Sequence, residues 1–195
     1  MKKMRIAITG GIGSGKSFVL DAIKQMGYET FSCDEIYREI CDEKNYVRRL
    51  EEEFGKVSLN GKLDKAALAK IVFSDEEKLK KLNEIAHPII MKNLSERMDK
   101  IKDVCFVEVP LLFEGGYEDL FDKIIVVTRD KKERIAAVLE RDNTDENSVL
   151  KRMEKQFDYD KLNSQKSSPK IVILENKGSV GEFITKIKLL VKQVL

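Results

Sequence analysis

The sequence has few cysteines and no long apolar run, and both shortages narrow the class of protein. Its three cysteines, at positions 33, 41 and 105, have no Cys-x-x-Cys spacing, so neither a disulfide framework nor a thiolate metal site is expected. No stretch approaches the roughly 20 apolar residues that a membrane span requires. The apolar run before the first glycines, at 6–9, is too short for the core of a signal peptide. A reducing cytoplasm is therefore the predicted location.

The sequence also lacks an excess of charge of either sign. Its 36 Lys and Arg side chains nearly balance its 34 Asp and Glu side chains, and the signs alternate along the chain. Without a basic tract, neither a nucleic acid nor a membrane is a predicted partner. At 195 residues and 42% hydrophobic content, the chain buries a sizeable core but is short for two independent domains. We expect one core domain with inserted subdomains, and no oligomeric state follows from these features.

Five short segments are predicted to be strands, at 4–9, 28–32, 104–109, 124–128 and 171–174, and the first is predicted to be buried. Helical segments separate these strands, so the predicted fold class is α/β with a parallel five-stranded sheet and right-handed crossovers. Ligands of such sheets gather at the carboxyl ends of the strands.

Two helical regions interrupt the predicted core, which comprises about 1–33, 103–130 and 157–195. The first region, about 34–102, is predicted to form a helical lobe over the site. The second, about 131–156, contains two charged helices with few large apolar residues and is predicted to be a lid.

Local signals mark the ends of several helices. Within the lobe, breaks are predicted at 55–61 and at Pro88, and a capping box at 74–77 is predicted to start a helix. A second capping box at 179–182 opens the last helix, whose apolar face is predicted to pack on the sheet. The stretch 163–169 is polar enough to predict a loose linker.

One motif carries chemistry: GGIGSGKS at 10–17 fits G-x-x-x-x-G-K-[ST] between an apolar strand and a helix. Backbone N–H groups of such a loop converge on phosphate oxygens, and the helix N-terminus adds partial positive charge. Lys16 supplies a point charge for the β- and γ-phosphates, and the Ser17 hydroxyl can ligate the Mg²⁺ that bridges them. The residues predicted to bind the nucleotide here are Gly11, Ile12, Gly13, Ser14, Gly15, Lys16 and Ser17. A glycine-rich turn that binds nothing fits the strand-to-helix context poorly.

The motif alone does not separate a kinase from a GTPase switch or an ATP-driven machine, because all three share this phosphate cradle. A guanine-reading element would carry Asn-Lys-x-Asp, but NKGS at 176–179 lacks the aspartate. The chain also lacks the bulk of a motor. A small-molecule kinase needs only a phosphate cradle, an acceptor lobe and a lid, so this class is favoured.

Further segments along nearly the whole length carry a resemblance to a known family: ITGGIGSGKS at 8–17, Asp34, GKLD at 61–64, LN at 82–83, HP at 87–88, PLLFE at 110–114, RD at 141–142, Arg152 and Gln156. By these segments the sequence resembles the dephospho-coenzyme A kinases, which phosphorylate the ribose 3′-hydroxyl of dephospho-coenzyme A in the last step of coenzyme A synthesis. The resemblance implies a three-layer P-loop kinase fold with a coenzyme A-binding helical lobe and a helical lid. The sequence differs from the family at Ser32, where the family usually has an aspartate.

Several further residues are candidates for the site. Asp34, at the carboxyl end of the second strand, is predicted to accept the proton of the ribose hydroxyl or to hold Mg²⁺ through water; the alternative is a helix N-cap. Asn176 and Gly178 follow the last strand and are predicted to offer backbone groups to the adenine of ATP, unless they form an ordinary turn. Glu108 ends a strand and is a candidate for the water shell of the metal. The resemblance places His87 in the acceptor lobe, where a structural role is equally open.

Charged runs such as that of the predicted lid usually form a solvated face, which is the expectation for Arg134 and Arg152. For Arg141, the resemblance implies a contact with a phosphate instead. The predicted catalytic residues are thus Lys16, Asp34 and Arg141, with ATP as donor, Mg²⁺ as metal and dephospho-coenzyme A as acceptor. The alternatives are a kinase for another small molecule, such as a nucleotide or a shikimate-like acceptor, and a nucleotide-sensing P-loop module.

Overall fold

The computed structural model describes residues 3–162 and 169–195, without the side chains of residues 160 and 161. Most of the predicted linker, at 163–168, lies outside the described residues. The strands are β1 (Met4–Thr9), β2 (Glu29–Ser32), β3 (Ser58–Leu59), β4 (Lys62–Leu63), β5 (Val104–Glu108), β6 (Lys123–Thr128) and β7 (Ile171–Glu175). The α-helices are α1 (Lys16–Gln25), α2 (Cys33–Ile40), α3 (Lys44–Phe54), α4 (Lys65–Phe73), α5 (Glu76–Lys100), α6 (Lys131–Asp142), α7 (Glu146–Glu154), α8 (Tyr159–Leu162) and α9 (Val180–Val194). No helix in these ranges is long and apolar enough to cross a membrane.

The main sheet confirms the predicted α/β architecture. Its strand order is β2-β5-β1-β6-β7, and each of these strands begins and ends within one residue of its predicted bounds. β1 pairs in parallel with β5 and β6, so that Ile8 lies opposite both Glu108 and Ile125, and β6 pairs in parallel with β7. Parallel strands end at a common edge, which brings the segments after β1, β5, β6 and β7 to one side of the sheet.

The chain divides into two units, of which the first comprises Met1–Phe31 and Ile101–Leu195. Its core joins the apolar faces of β1, β5 and β6 to those of α1 and α9. The predicted capping box starts α9, with reciprocal bonds between Ser179 and Glu182. Phe183 and Ile187, on the apolar stripe of this helix, are buried in the same cluster. This packing anchors the strand and the helix on either side of the glycine loop.

The second unit, Ser32–Lys100, is helical apart from the antiparallel ribbon of β3 and β4. The predicted break at 55–61 is confirmed. The ribbon begins within it and ends at Leu63, and the helical pattern alone did not predict this ribbon. The predicted break at Pro88 is wrong, because α5 continues through this residue to Lys100. Apolar residues are buried on both sides of the proline, including Ile85 and Ile90, and this continuous packing offsets the hydrogen bond that proline cannot donate.

The start of α5 also differs in detail from the predicted capping box. Asp75 provides the cap, since its carboxylate accepts from the backbone N–H groups of Glu77 and Lys78. The hydroxyl of Ser74 instead donates to the carbonyl of Ile71 in the preceding helix. Because Ser74 ends one helix, the capping role passes to the next residue that has a side-chain oxygen.

Candidate active site

The glycine loop, residues 10–17, connects β1 to α1 as the motif predicts. Gly13 and Gly15 have φ of 77° and 100°, a left-handed conformation that side chains with a Cβ rarely adopt. A Cβ at Gly13 would also lie 2.5 Å from the carbonyl oxygen of Arg134. The loop therefore needs glycine at these positions for its own conformation and for its fit against α6.

Lys16 is turned back over this loop. Its side chain is buried, and Nζ donates to the carbonyl oxygens of Gly10 at 2.8 Å and Gly11 at 3.1 Å. The ammonium group thus lies at the start of the loop, where a positive charge faces the phosphate cradle. A polyphosphate bound there would replace carbonyl acceptors with anionic oxygens.

Ser17 and Glu108 bring two oxygen ligands together beside the loop. The Ser17 hydroxyl donates to Glu108 Oε1 at 2.9 Å, and Glu108 is buried at the carboxyl end of β5. Oxygen ligands suit Mg²⁺, which proteins usually bind through one or two carboxylates together with substrate phosphates. The described residues contain no cluster of three His, Cys, Asp or Glu side chains, and a nucleotide-bound Mg²⁺ requires none. This pair therefore fits the metal that the motif implies.

The segment after α7 is tied to the loop by two side chains. The backbone N–H of Ile12 donates to Gln156 Oε1 at 2.7 Å. The hydroxyls of Tyr159 and Thr9 are hydrogen-bonded at 3.1 Å. Burial raises the pKa of Tyr159 to about 12, so this phenol is neutral at physiological pH. Only the resemblance singles out Gln156, and nothing in its sequence context predicts a contact with the loop.

Asn176 joins the end of β7 to the loop. Its Nδ2 donates to the carbonyl of Ser14 at 2.9 Å, and its backbone N–H donates to the carbonyl of Thr128 at 2.8 Å. Gly178, with φ of 94°, follows in the turn that leads to α9. A cavity of about 470 Å³ opens here, lined by Thr128, Arg129, Asp130, Glu133, Glu175, Asn176 and Lys177. The structure thus places Asn176 at the glycine loop and in the wall of a cavity.

The two arginines that flank the loop between α6 and α7 meet at one carboxylate. Arg141 donates from Nε and Nη2 to the two oxygens of Asp142, at 2.7 and 3.1 Å, and Arg152 donates to the same carboxylate at 3.0 Å. These bonds lower the pKa of Asp142, with the Arg141 bond as the largest cause. The Arg141 side chain is 62% exposed.

Arg134 differs from the expectation of a solvated face, which is wrong for this residue. Its side chain is 8% exposed and lies against the glycine loop. The reason is its place in the first turn of α6, which follows β6 beside the central strand. Residue type and spacing gave no signal of this burial, because the neighbouring positions on the helix are charged and exposed.

Two candidate residues belong to the second unit. Asp34 is exposed in the first turn of α2, which begins one residue earlier at Cys33 and has Ser32 at its N-cap position. The alternative that Asp34 is a helix N-cap is therefore wrong. His87 is half-buried within α5, and burial lowers its pKa.

The fold and the first unit together define the class of protein to which the chain belongs. A parallel sheet carries a glycine loop between its central strand and a helix, with Lys16 buried over the loop. Ser17, the last residue of the motif, lies beside a buried carboxylate. These are the parts of a P-loop nucleotide-binding protein.

Comparisons with known proteins define the particular family. The sequence pattern of the family CoaE, dephospho-CoA kinase, matches residues 4–182. A dephospho-CoA kinase of Fusobacterium nucleatum is 33% identical over 191 residues, which cover 96% of this chain and 97% of that protein. Dephospho-CoA kinase from Campylobacter jejuni superposes with a TM-score of 0.71 at 30% identity, covering 100% and 98% of the two chains. TT1252 from Thermus thermophilus superposes with a TM-score of 0.81 at 30% identity over 100% of both chains. The chain belongs to the dephospho-CoA kinase family.

Proposed function

We propose that this chain transfers the γ-phosphate of ATP to the ribose 3′-hydroxyl of dephospho-coenzyme A, the last step of coenzyme A synthesis, in the cytoplasm. One observation carries the donor half of the proposal: Lys16 is held over a complete glycine loop, with the Ser17 and Glu108 oxygens beside it. Membership of the family carries the acceptor half. All three cysteines are present as buried thiols, which agrees with a reducing compartment.

The glycine loop is the proposed site of the donor phosphates. Backbone N–H groups of residues 11–17 and the N-terminus of α1 cradle the anion, and Lys16 exchanges its carbonyl partners for phosphate oxygens. Ser17 is the proposed Mg²⁺ ligand, with Glu108 orienting it. The metal, when bound, supplies positive charge that offsets the charge of the transferring phosphoryl group. Gln156 keeps the Ile12 amide oriented until the phosphates arrive.

The cavity beside Asn176 is the proposed site of the adenine. Its lining includes the backbone around Asn176 and the end of β6, and Gly178 gives the following turn its conformation. The side chain of Asn176 is already committed to the Ser14 carbonyl. It therefore fixes the distance between base and phosphate sites. Because the backbone N–H of Asn176 donates to the Thr128 carbonyl, the base is proposed to use the other backbone groups of residues 176–178.

The acceptor side of the proposal involves Asp34 and Arg141. Asp34 is exposed and does not cap its helix, so its carboxylate is available as the base that takes the ribose proton. Arg141 is the proposed phosphate contact of the predicted lid, 131–156, and leaves Asp142 when the lid closes. The helical region at about 34–102 is the proposed acceptor lobe.

A panel of acceptors tests the proposal. ADP release is measured with ATP and Mg²⁺ alone and after addition of dephospho-coenzyme A, shikimate or a nucleoside monophosphate. We expect release to depend on dephospho-coenzyme A and to stay near background with the other two. Release that depends equally on another acceptor would assign a different kinase, and tight ATP binding without any acceptor-dependent release would indicate a nucleotide-sensing module.

A further inference from the structure

Arg134 is a buried cation to which the proposed reaction assigns no role. Its side chain is 8% exposed, and Nε has no hydrogen-bond partner among the described residues. A guanidinium keeps its proton at every physiological pH. Burying such a charge is unfavourable unless partners compensate it. A buried guanidinium whose Nε has no partner therefore suggests a partner that binds later.

The guanidinium lies directly over the start of the glycine loop. A Cβ placed on Gly11 would be 2.8 Å from Nη1, 2.9 Å from Cζ and 3.1 Å from Nη2 of Arg134. Glycine at position 11 leaves room for this approach, and a Cβ there would displace the guanidinium.

The acidic neighbours of Arg134 on its own helix have other partners. The carboxylate of Glu133 pairs with Arg129 at 3.0 Å. Asp130 caps α6 by accepting from the backbone N–H groups of Lys132 and Glu133. Among the described side chains, none forms an ion pair with the Arg134 guanidinium. The positive charge remains directed at the loop.

Two positively charged side chains, those of Lys16 and Arg134, therefore lie beside Gly11. Lys16 Nζ donates to the Gly11 carbonyl at 3.1 Å, and the Arg134 guanidinium borders the same residue from α6. Like charges in a poorly solvated place repel each other, and an anion bound between them relieves the repulsion. The P-loop lysine reaches the β- and γ-phosphates, so its position marks the terminal end of the donor.

We propose that Arg134 contacts the terminal phosphate of ATP at Gly11 and is, with Lys16, a built-in cation of the donor site. This inference rests on the proposed function of the glycine loop. It separates Arg134 from Arg141, whose exposed guanidinium is held by Asp142. Arg134 discriminates ATP from ADP before any lid movement, because its guanidinium is already at the loop.

Nucleotide binding without acceptor tests this proposal. Dissociation constants for ADP and for a non-hydrolysable ATP analogue are measured by calorimetry on the wild type, Arg134→Met and Arg134→Lys, with melting temperatures of the free proteins. Methionine retains much of the apolar stem and removes the charge. The matched control is Lys132→Met, which removes a charge from an exposed position in the same helical turn.

In Arg134→Met we expect the ATP analogue to bind about 10- to 100-fold more weakly, as for a lost charge-assisted bond, and ADP to change less than about threefold. Arg134→Lys should lie between this variant and the wild type, because lysine keeps the charge without the planar fork. The melting temperature of the free Arg134→Met protein should not fall, because the variant removes a buried charge whose Nε has no partner. Lys132→Met should leave both dissociation constants unchanged.

Three results would overturn the inference. An unchanged ratio of the two dissociation constants in Arg134→Met would show that Arg134 does not contact the terminal phosphate. A destabilised or unfolded Arg134→Met with equal losses for both nucleotides would show that the arginine only braces the loop. A wild type that binds neither nucleotide would refute the proposed function itself, which separates that failure from the first two.

Discussion

Replacing Lys16 with methionine removes the ammonium group and retains much of the apolar stem. In the free protein this deletes the hydrogen bonds that Nζ donates to the carbonyls of Gly10 and Gly11. Hydrogen bonds to a charged group contribute about 1.5–3 kcal/mol each, while burial of the charge costs several kcal/mol. The two effects oppose each other, so the free energy of unfolding should change by less than about 2 kcal/mol. In a domain of this size that shifts the melting temperature by less than about 8 °C.

Catalysis should respond much more strongly to the same substitution. The ammonium group is the cation of the motif that reaches the β- and γ-phosphates, and the thioether of the introduced methionine carries no charge to replace it. We expect kcat/KM to fall by at least about 10³, equivalent to about 4 kcal/mol of transition-state stabilisation. The assay is steady-state ADP release with dephospho-coenzyme A as acceptor. Lys24→Met is the control, since it removes an exposed charge from the last turn of the same helix.

Two outcomes would refute this reasoning about Lys16. A variant that folds and retains more than about a tenth of wild-type kcat/KM would show that the ammonium group does not serve the phosphates. Equal losses in Lys16→Met and Lys24→Met would show that only the overall charge of α1 matters.

Three further predictions concern the second unit and the predicted lid. Asp34→Asn should lower kcat by about 10²–10⁴ with an unchanged dissociation constant for ATP, and weakened ATP binding with a retained kcat would exclude Asp34 as the base. Arg141→Lys should lower kcat by about 10–10³ at saturating substrates, because lysine cannot bond bidentately. The Arg141 side chain is exposed, so the melting temperature should not change. An unaltered kcat would exclude the phosphate contact. Burial lowers the pKa of His87 in the folded state, so the unfolded state binds more protons and stability falls as pH drops below about 6.5. Between pH 7.5 and 5.5 the free energy of unfolding should therefore fall further in the wild type than in His87→Gln. An equal fall in the two proteins would contradict a lowered pKa of His87 in the folded state.

The sheet and the glycine loop were predictable because their signals are local. Four of the five strands of the main sheet are short apolar runs, and the loop combines a strand, a glycine pattern and a helix start within about 20 residues. The second capping box was predictable for the same reason, since Ser179 and Glu182 bond to each other's backbone. Such features depend on neighbours along the chain.

Features that depend on packing were not predictable from the sequence. Pro88 carries a strong signal for a helix break, but buried residues on both sides of it keep α5 continuous. Arg134 lies in a charged stretch that predicts exposure, and its burial follows from the packing of the first turn of α6 against the glycine loop. The bond between Ser17 and Glu108 joins residues 91 positions apart, and its only signal was that Glu108 ends a strand at the ligand-binding edge.

The identity of the product tests the central claim most directly. The purified chain is incubated with ATP, Mg²⁺ and dephospho-coenzyme A, and the acceptor is analysed by mass spectrometry and phosphorus NMR. We expect one added phosphoryl group per acceptor, on the ribose 3′-oxygen, in a one-to-one ratio with ADP released. A phosphoryl group on another atom, or ADP released without a phosphorylated acceptor, would contradict the proposed reaction.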